Sequence, residues 1–400
     1  MNFAPSGTII PLSHSSHRQQ VTLSPRGTIV PQTPPRILIV GAGILGSAIA
    51  YHLAVGGADV VLLEAGPAPG CGVTGRAFGW VNVVNRPPHH PGYALLKAGF
   101  DAYRDPLVVP PQMFEGARSG SLIWHKTAAE TEAFGLSHRE AREEVELLDR
   151  KALARLEPGL RNPPKLAVLS PHDLALDPAR LAAAFIDAAV QAGATVRFGL
   201  DIVAVEQVDG RPVLWSAQGE AMAADRVVLA AGSGTGRLMQ ALGVDIGVRT
   251  APALLLRYAC SVPVTSRILR MPRLEMRQAP DHTLVVAASY VDDGSDDLPR
   301  RMGEARLAVM REEFDLPETV TLSSAEVGQR PTFDDDLPAG FCPAGQRPLP
   351  GSRTSGIILA PLFGRLAADE MLRGKPADLA VFGRARERKT PPAIEGEGLR

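Results

Sequence analysis

The residue types best suited to chemistry cluster between Arg36 and Glu64, in RILIVGAGILGSAIAYHLAVGGADVVLLE. Gly41, Ala42, Gly43, Ile44, Leu45 and Gly46 spell G-x-G-x-x-G. The first glycine of that pattern allows a tight turn, the second lets backbone approach a pyrophosphate, and the third lets a helix pack close to its strands. Unpaired N–H groups at the helix N-terminus, with the helix dipole behind them, then suit an anion. Glu64 follows at the distance where a carboxylate accepts hydrogen bonds from both hydroxyls of a ribose and repels a 2′-phosphate. Charge-assisted bonds of this kind contribute about 1.5–3 kcal/mol each.

These residues need elements to hold them, and the flanking pattern supplies them. Ile37 to Val40 is an apolar run suited to a strand buried on both faces. Ile49, Leu53 and Val55 mark a helix that Gly56-Gly57 ends, and Asp59 to Leu63 reads as the next strand. The unit is βαβ with an acid at its end. After Glu64 and Ala65 comes GPAPGCGVTGRAFGWVN, whose small residues suit a loop beneath a bound cofactor. Thr74, Gly75, Arg76 and Ala77 are its contact candidates, although Arg76 fits a solvent-facing position equally well. A second stretch, DRVVLAAGSGTG from Asp225, runs a buried strand into Ala230-Ala231-Gly232, where backbone must pass close to a strand or a ligand. A third, Ser355-Gly356-Ile357-Ile358, precedes a helix over Leu362 to Leu372 and can present N–H groups to a ligand.

The remaining chain bounds the class. At 400 residues with a formal net charge of −1, it offers no electrostatic reason to expect nucleic acid or an anionic membrane as partner. Cys71, Cys260 and Cys342 are far apart, which argues against a disulfide framework or zinc site and fits a reducing, cytoplasmic setting. No apolar run is long enough to span a bilayer. Residues 1–35 read as a disordered tail and 377–400 as a C-terminal one. Tyr93 to Tyr103 predicts a helix, Gly120 to Trp124 a strand, and Asp177-Pro178 a helix start. Ser137 to Glu140 forms a capping-box pattern that would open a charged helix running to about Arg155. Asp209-Gly210 suggests a hairpin turn, and Arg301 to Phe314 another helix. Arg249 to Val291 is strand-like and broken by prolines, as expected of an antiparallel sheet in a second lobe. Arg267, Arg270, Arg273 and Arg277 read most simply as a solvated face. Asp334, Asp335 and Asp336 read as a surface turn, since adjacent carboxylates converge on a cation only at like-charge cost. No metal site is expected.

The three small-residue stretches together resemble the FAD-dependent oxidoreductases of the D-amino-acid oxidase superfamily, in particular the sarcosine and glycine oxidase branch with its related D-amino-acid dehydrogenases. The resemblance spans about residues 36–375 and includes Thr74 to Asn82 and Gly120 to Trp124. It implies an α/β fold: a Rossmann-type FAD-binding domain (36–92, 140–248 and 326–376) beside an α+β substrate lobe with a mostly antiparallel sheet (93–139 and 249–325). It further implies that Ile202 meets the adenine through its backbone, that Ala231-Gly232 passes under the nucleotide, and that Gly356, Ile357 and Ile358 donate to the pyrimidine edge of the flavin. Arg330 in G-Q-R-P matches the family's carboxylate-binding arginine, and Tyr258 is a candidate phenolic donor. The implied reaction is hydride transfer from an amine-bearing carbon of an amino acid or small amine to flavin N5. The resulting imine hydrolyses, and the electrons pass to oxygen or another acceptor. Cys342 does not match the cysteine that binds flavin covalently, so non-covalent FAD is expected. Family members carry a strand and then H-S-G before the last helix, where this chain reads GQRPLPGSRTSG. That departure keeps a catalytically inert flavin-binding subunit as an alternative, alongside an NAD-dependent dehydrogenase using the same fingerprint.

Overall fold

Ile37, Leu38 and Ile39 have no exposed surface because Arg36–Val40 lies inside a parallel sheet. Its neighbours are Arg226–Leu229 on one side and Asp59–Leu63 on the other, with Thr195–Arg197 at the far edge. This computed structural model describes residues 34–114, 117–332 and 355–374. Side chains on one face of the parallel sheet (Ile37, Ile39, Val60, Leu62) pack with the helices Ile44–Val55 and Pro178–Gln191. Those on the other (Leu38, Val40, Leu63) meet Ile202, Val205 and Leu214 of a small antiparallel sheet. The hairpin in that sheet turns at Asp209-Gly210, both with positive φ, which matches the twist of the flanking strands.

The last described helix, Gly356–Arg373, lies directly against Ile44–Val55. A Cβ on Gly364 would stand 2.5 Å from His52 Cδ2 and 2.7 Å from the Ala48 carbonyl oxygen, so the two backbones approach as closely as a glycine allows. The helix begins six residues before the Leu362 start expected from sequence. Pro361 would normally break it by failing to donate to the carbonyl four residues back, which is Ile357 O. Here the Tyr103 hydroxyl donates to Ile357 O at 2.6 Å and replaces the missing bond.

Beside these elements stands a nine-stranded sheet, antiparallel except where Ile268–Met271 runs parallel to Arg118–Ile123. Thr321–Thr332, Arg249–Ala259, Leu284–Ser289, Leu274–Gln278 and Ile268–Met271 follow one another across it. Alternation sets its two faces. Leu254, Leu256, Tyr258, Leu274, Met276 and Val286 point to one, against Leu307 and Met310 of the helix Leu298–Glu313. Leu255, Arg257, Glu275 and Arg277 occupy the other, which we call the inner face.

Two expectations fail here. Ser137 to Glu140 ends a helix rather than opening one: Ala128–Glu140 starts at the capping box of Thr127 and Glu130, and a strand (Glu146–Asp149) and a short helix (Arg150–Leu156) follow. Two capping patterns, Thr127 to Glu130 and Ser137 to Glu140, follow one another in the sequence, and positive φ at Arg142 breaks the chain just after the second. The arginines at 267, 270, 273 and 277 are not one solvated face either. Pro272 sits in the turn of a hairpin, so Arg277 is buried and only 6% exposed, while Arg273 pairs with Glu312 at the surface.

Candidate cofactor and substrate site

Gly41 adopts φ of +104°, and a Cβ there would stand 2.5 Å from Ala230 O and 3.0 Å from Ala231 Cα. The fingerprint turn and the Ala230-Ala231-Gly232 stretch therefore meet, joined also by Ala230 N–H donating to Val40 O at 2.8 Å. The space between them is a cradle that only a glycine leaves open. Gly43 caps the helix Ile44–Val55 without a side chain, and Thr74 Oγ1 instead accepts the Ile44 N–H at 3.1 Å. Thr74 thus holds the loop to the helix start. Leu45 and Gly46 remain in the first turn, whose N–H groups lack intrahelical acceptors and suit a pyrophosphate.

Glu64 is oriented before any ligand arrives. Its Oε2 accepts the Ala42 N–H at 2.6 Å and its Oε1 accepts the Gly66 N–H, beyond Ala65, at 2.7 Å. Each oxygen keeps a lone pair for a ribose hydroxyl. Leu200 N–H donates to Glu64 O at 2.9 Å, which brings Ile202, 3% exposed, to the same end of the sheet. The helix Gly356–Arg373 runs in the same direction as Ile44–Val55, with Gly364 at Ala48 and Leu372 at Gly56. Its first turn of Gly356, Ile357 and Ile358 therefore lies toward the start of that helix, with Leu359 the first to bond back, to Ser355 O. Their N–H groups and the helix dipole can favour negative charge on a ring placed there.

The loop after Glu64 runs beneath the inner face of the nine-stranded sheet. Arg76 Nη1 donates to Cys71 O and Gly72 O, and its Nε pairs with Glu326 at 3.5 Å. Its side chain thus anchors loop to sheet while staying partly exposed. Ala77 N–H closes a turn onto Thr74 O. Arg257 Nη2 donates to Gly75 O at 3.0 Å, and Arg277 donates to Phe78 O at 2.6 Å and Leu176 O at 3.1 Å. Burial pulls the Arg277 guanidinium down to about 10, with Asp177 opposing that shift. Asp173, fully buried, accepts from Trp80 Nε1, Ser121 Oγ and Ser170 Oγ at 2.6–2.8 Å, and desolvation pushes its carboxyl up to about 6.

Of the substrate candidates, Arg330 pairs across the ladder with Ala251, which puts it on the inner face. Tyr258 stands on the other: it is fully buried and its hydroxyl donates to Gly303 O at 2.9 Å. As Arg257 and Tyr258 are adjacent on one strand, the pleat sends only the arginine inward. The sequence reading gave Glu275 and Tyr103 no role and placed Arg277 on a solvated face. The apolar–polar alternation of Leu274-Glu275-Met276-Arg277 carried a signal for Glu275 and Arg277, and none existed for Tyr103. Asp334 to Asp336, Cys342 and the segment from Pro348 to Thr354 lie outside the described residues. Among the described residues no group of histidine, cysteine or carboxylate side chains has metal-binding spacing. No helix there is long and apolar enough to cross a membrane.

A glycine-lined cradle, N–H groups at a helix start and a pre-oriented carboxylate fit FAD, and residues 36–370 match the family model described as FAD dependent oxidoreductase. The chain belongs to that family. It is an FAD-dependent oxidoreductase with a Rossmann-type cofactor fold and a second, mostly antiparallel lobe, which removes the NAD-dependent alternative. It is similar to glycine oxidase of Bacillus licheniformis, 27% identical over 349 residues, covering 85% of this chain and 93% of the relative. Among solved structures, glycine oxidase from Geobacillus kaustophilus superposes with a TM-score of 0.75 at 24% identity, covering 88% of this chain and all of that one. Iminodiacetate oxidase from Chelativorans sp. BNC1 gives 0.73 at 25% identity, covering 87% and 98%.

Proposed function

We propose that this enzyme oxidises the C–N bond of an amino acid or similar small amine, using FAD held without a covalent link. The observation that carries the reading is the meeting of Gly41 to Gly46 with Ala230-Ala231, together with the close packing of the helix Gly356–Arg373 on the fingerprint helix Ile44–Val55. FAD supplies the two-electron acceptor for hydride removal from the amine-bearing carbon. The chain supplies placement: Glu64 and Ile202 hold the adenosine, Leu45 and Gly46 the pyrophosphate, and Gly356 to Ile358 the flavin pyrimidine. Arg330, on the inner face, binds the substrate carboxylate through its planar fork. The imine so formed leaves to hydrolyse, and oxygen or another acceptor takes the electrons. Likeness to glycine oxidases supports the amino-acid substrate. Cys71 and Cys260, both free, accord with a cytoplasmic setting.

The test is anaerobic bleaching of the purified yellow protein by a panel of D-amino acids, L-amino acids, glycine, sarcosine and proline. Bleaching by at least one amino acid is expected. Flavin that stays oxidised with every one of them would leave an inert flavin-binding subunit as the better account.

A further inference from the structure

The inner face carries an acid that the reading above leaves unused. Glu275 sits on Leu274–Gln278, where Leu274 and Met276 turn into the opposite core, so Glu275 and Arg277 face the cofactor loop. The anchors of that loop follow one another across the sheet. Gly328 and Glu326 meet Arg76, Arg257 meets Gly75, Arg277 meets Phe78, and Arg270 donates to Asn85 Oδ1. Glu275 lies between the last two on this face, and Trp80–Val81, between their loop anchors, also contact the helix Gly356–Arg373. It therefore faces the part of the loop that joins this sheet to the helix Gly356–Arg373.

Among the described residues its carboxylate forms no hydrogen bond and no ion pair. Arg270, its cross-strand neighbour, commits its Nη1 to Asn85. Glu326, another acid on this face, is paired with Arg76. Burial raises the Glu275 carboxyl above the usual carboxylate range, with Arg270 opposing. A desolvated carboxylate without a partner is unfavourable, and a cationic ligand group relieves it, while a second carboxylate worsens it.

Register sets the distance to the other end of the site. Glu275 pairs with Ala287, Ala287 with a strand position at Leu255, and Leu255 with Glu326, while Arg330 lies four residues further on. Three strand spacings and four residues give about 20 Å between the two Cα atoms on a flat sheet. Both side chains project from the same face, and sheet coiling brings their ends closer than the Cα separation on a flat sheet. A glycine is too short for that gap, whereas an amino acid with a long basic side chain spans it.

We propose that Glu275 binds a cationic nitrogen at the far end of the substrate, so that the site prefers an α-amino acid with a basic side chain over a neutral or acidic one. This rests on amino-acid oxidation with Arg330 at the α-carboxylate. The experiment compares lysine and ornithine with norleucine and glutamate, both enantiomers of each, on the FAD-loaded enzyme. The kcat/KM for lysine is expected to exceed that for norleucine by about 10- to 100-fold, the range of one charge-assisted contact. Glu275→Gln should collapse that ratio chiefly through KM, and Glu275→Asp should keep part of it. If Glu275→Gln fails to hold FAD, the wild-type ratio decides alone. Norleucine or glutamate turned over as well as lysine, or a ratio unchanged in Glu275→Gln, overturns the inference and leaves amino-acid oxidation standing. FAD-loaded enzyme bleached by no amino acid overturns both.

Discussion

Glu64 shows how much of a cofactor site can be pre-set by single hydrogen bonds. Two backbone amides fix its carboxylate, so the ribose of the proposed FAD would meet acceptors already oriented. Removing them by Glu64→Ala should weaken FAD by about 1.5–3 kcal/mol per lost bond, roughly tenfold or more in Kd. Titrating apoprotein with FAD and following quenching of flavin fluorescence measures this. Tyr103 acts as locally, but through backbone. Tyr103→Phe leaves Ile357 O without the donor that compensates Pro361, at a cost of about 1–3 kcal/mol. Its expected signature is a lower melting temperature together with a perturbed visible spectrum of the bound flavin. A lower melting temperature with an unchanged spectrum would separate Tyr103 from the flavin end.

Between elements, Ile44–Val55 packs closely on Gly356–Arg373, which joins the two helices proposed to hold the pyrophosphate and the flavin. Gly364→Ala places a methyl against His52 and the Ala48 carbonyl, and overpacking of this kind costs about 1–3 kcal/mol. Thermal denaturation should register it, with FAD affinity falling as the two helices separate. His52 gives the same contact a pH dependence. Desolvation, and then the charge of Arg365, lower its folded pKa to about 4. Neutral His52 contributes fully above the unfolded value near 6.5, and that stability is lost as pH falls through about 4. The stability of wild type relative to His52→Gln should therefore drop between pH 7 and pH 4. A difference that stays level across that range would show that His52 is protonated as easily folded as unfolded.

Across the whole molecule, the proposed FAD site draws on stretches from Gly41, Ala231 and Gly356, which are far apart in the chain. A ligand that binds only the folded state stabilises it by about 2.7 kcal/mol at a hundred times its Kd. Stripping FAD should lower the melting temperature by several degrees, and adding FAD back should restore it, whereas NAD should not. The division of labour between the two cores follows from period and burial. The run Ile37 to Val40, the G-x-G-x-x-G turn and Glu64 were legible because each is local: a strand, a bend and an acid within one βαβ unit. The start of the helix at Gly356 was hidden, since a proline at 361 reads as a break until a distant tyrosine supplies the missing donor. The inward placement of Arg257 and the outward placement of Tyr258 were hidden too. Sequence alone determined the cofactor fingerprint, because its parts touch through neighbouring residues. Only tertiary structure decided which polar groups face the cofactor loop, because one step along a strand reverses a side chain and the pleat is set by what packs against each face.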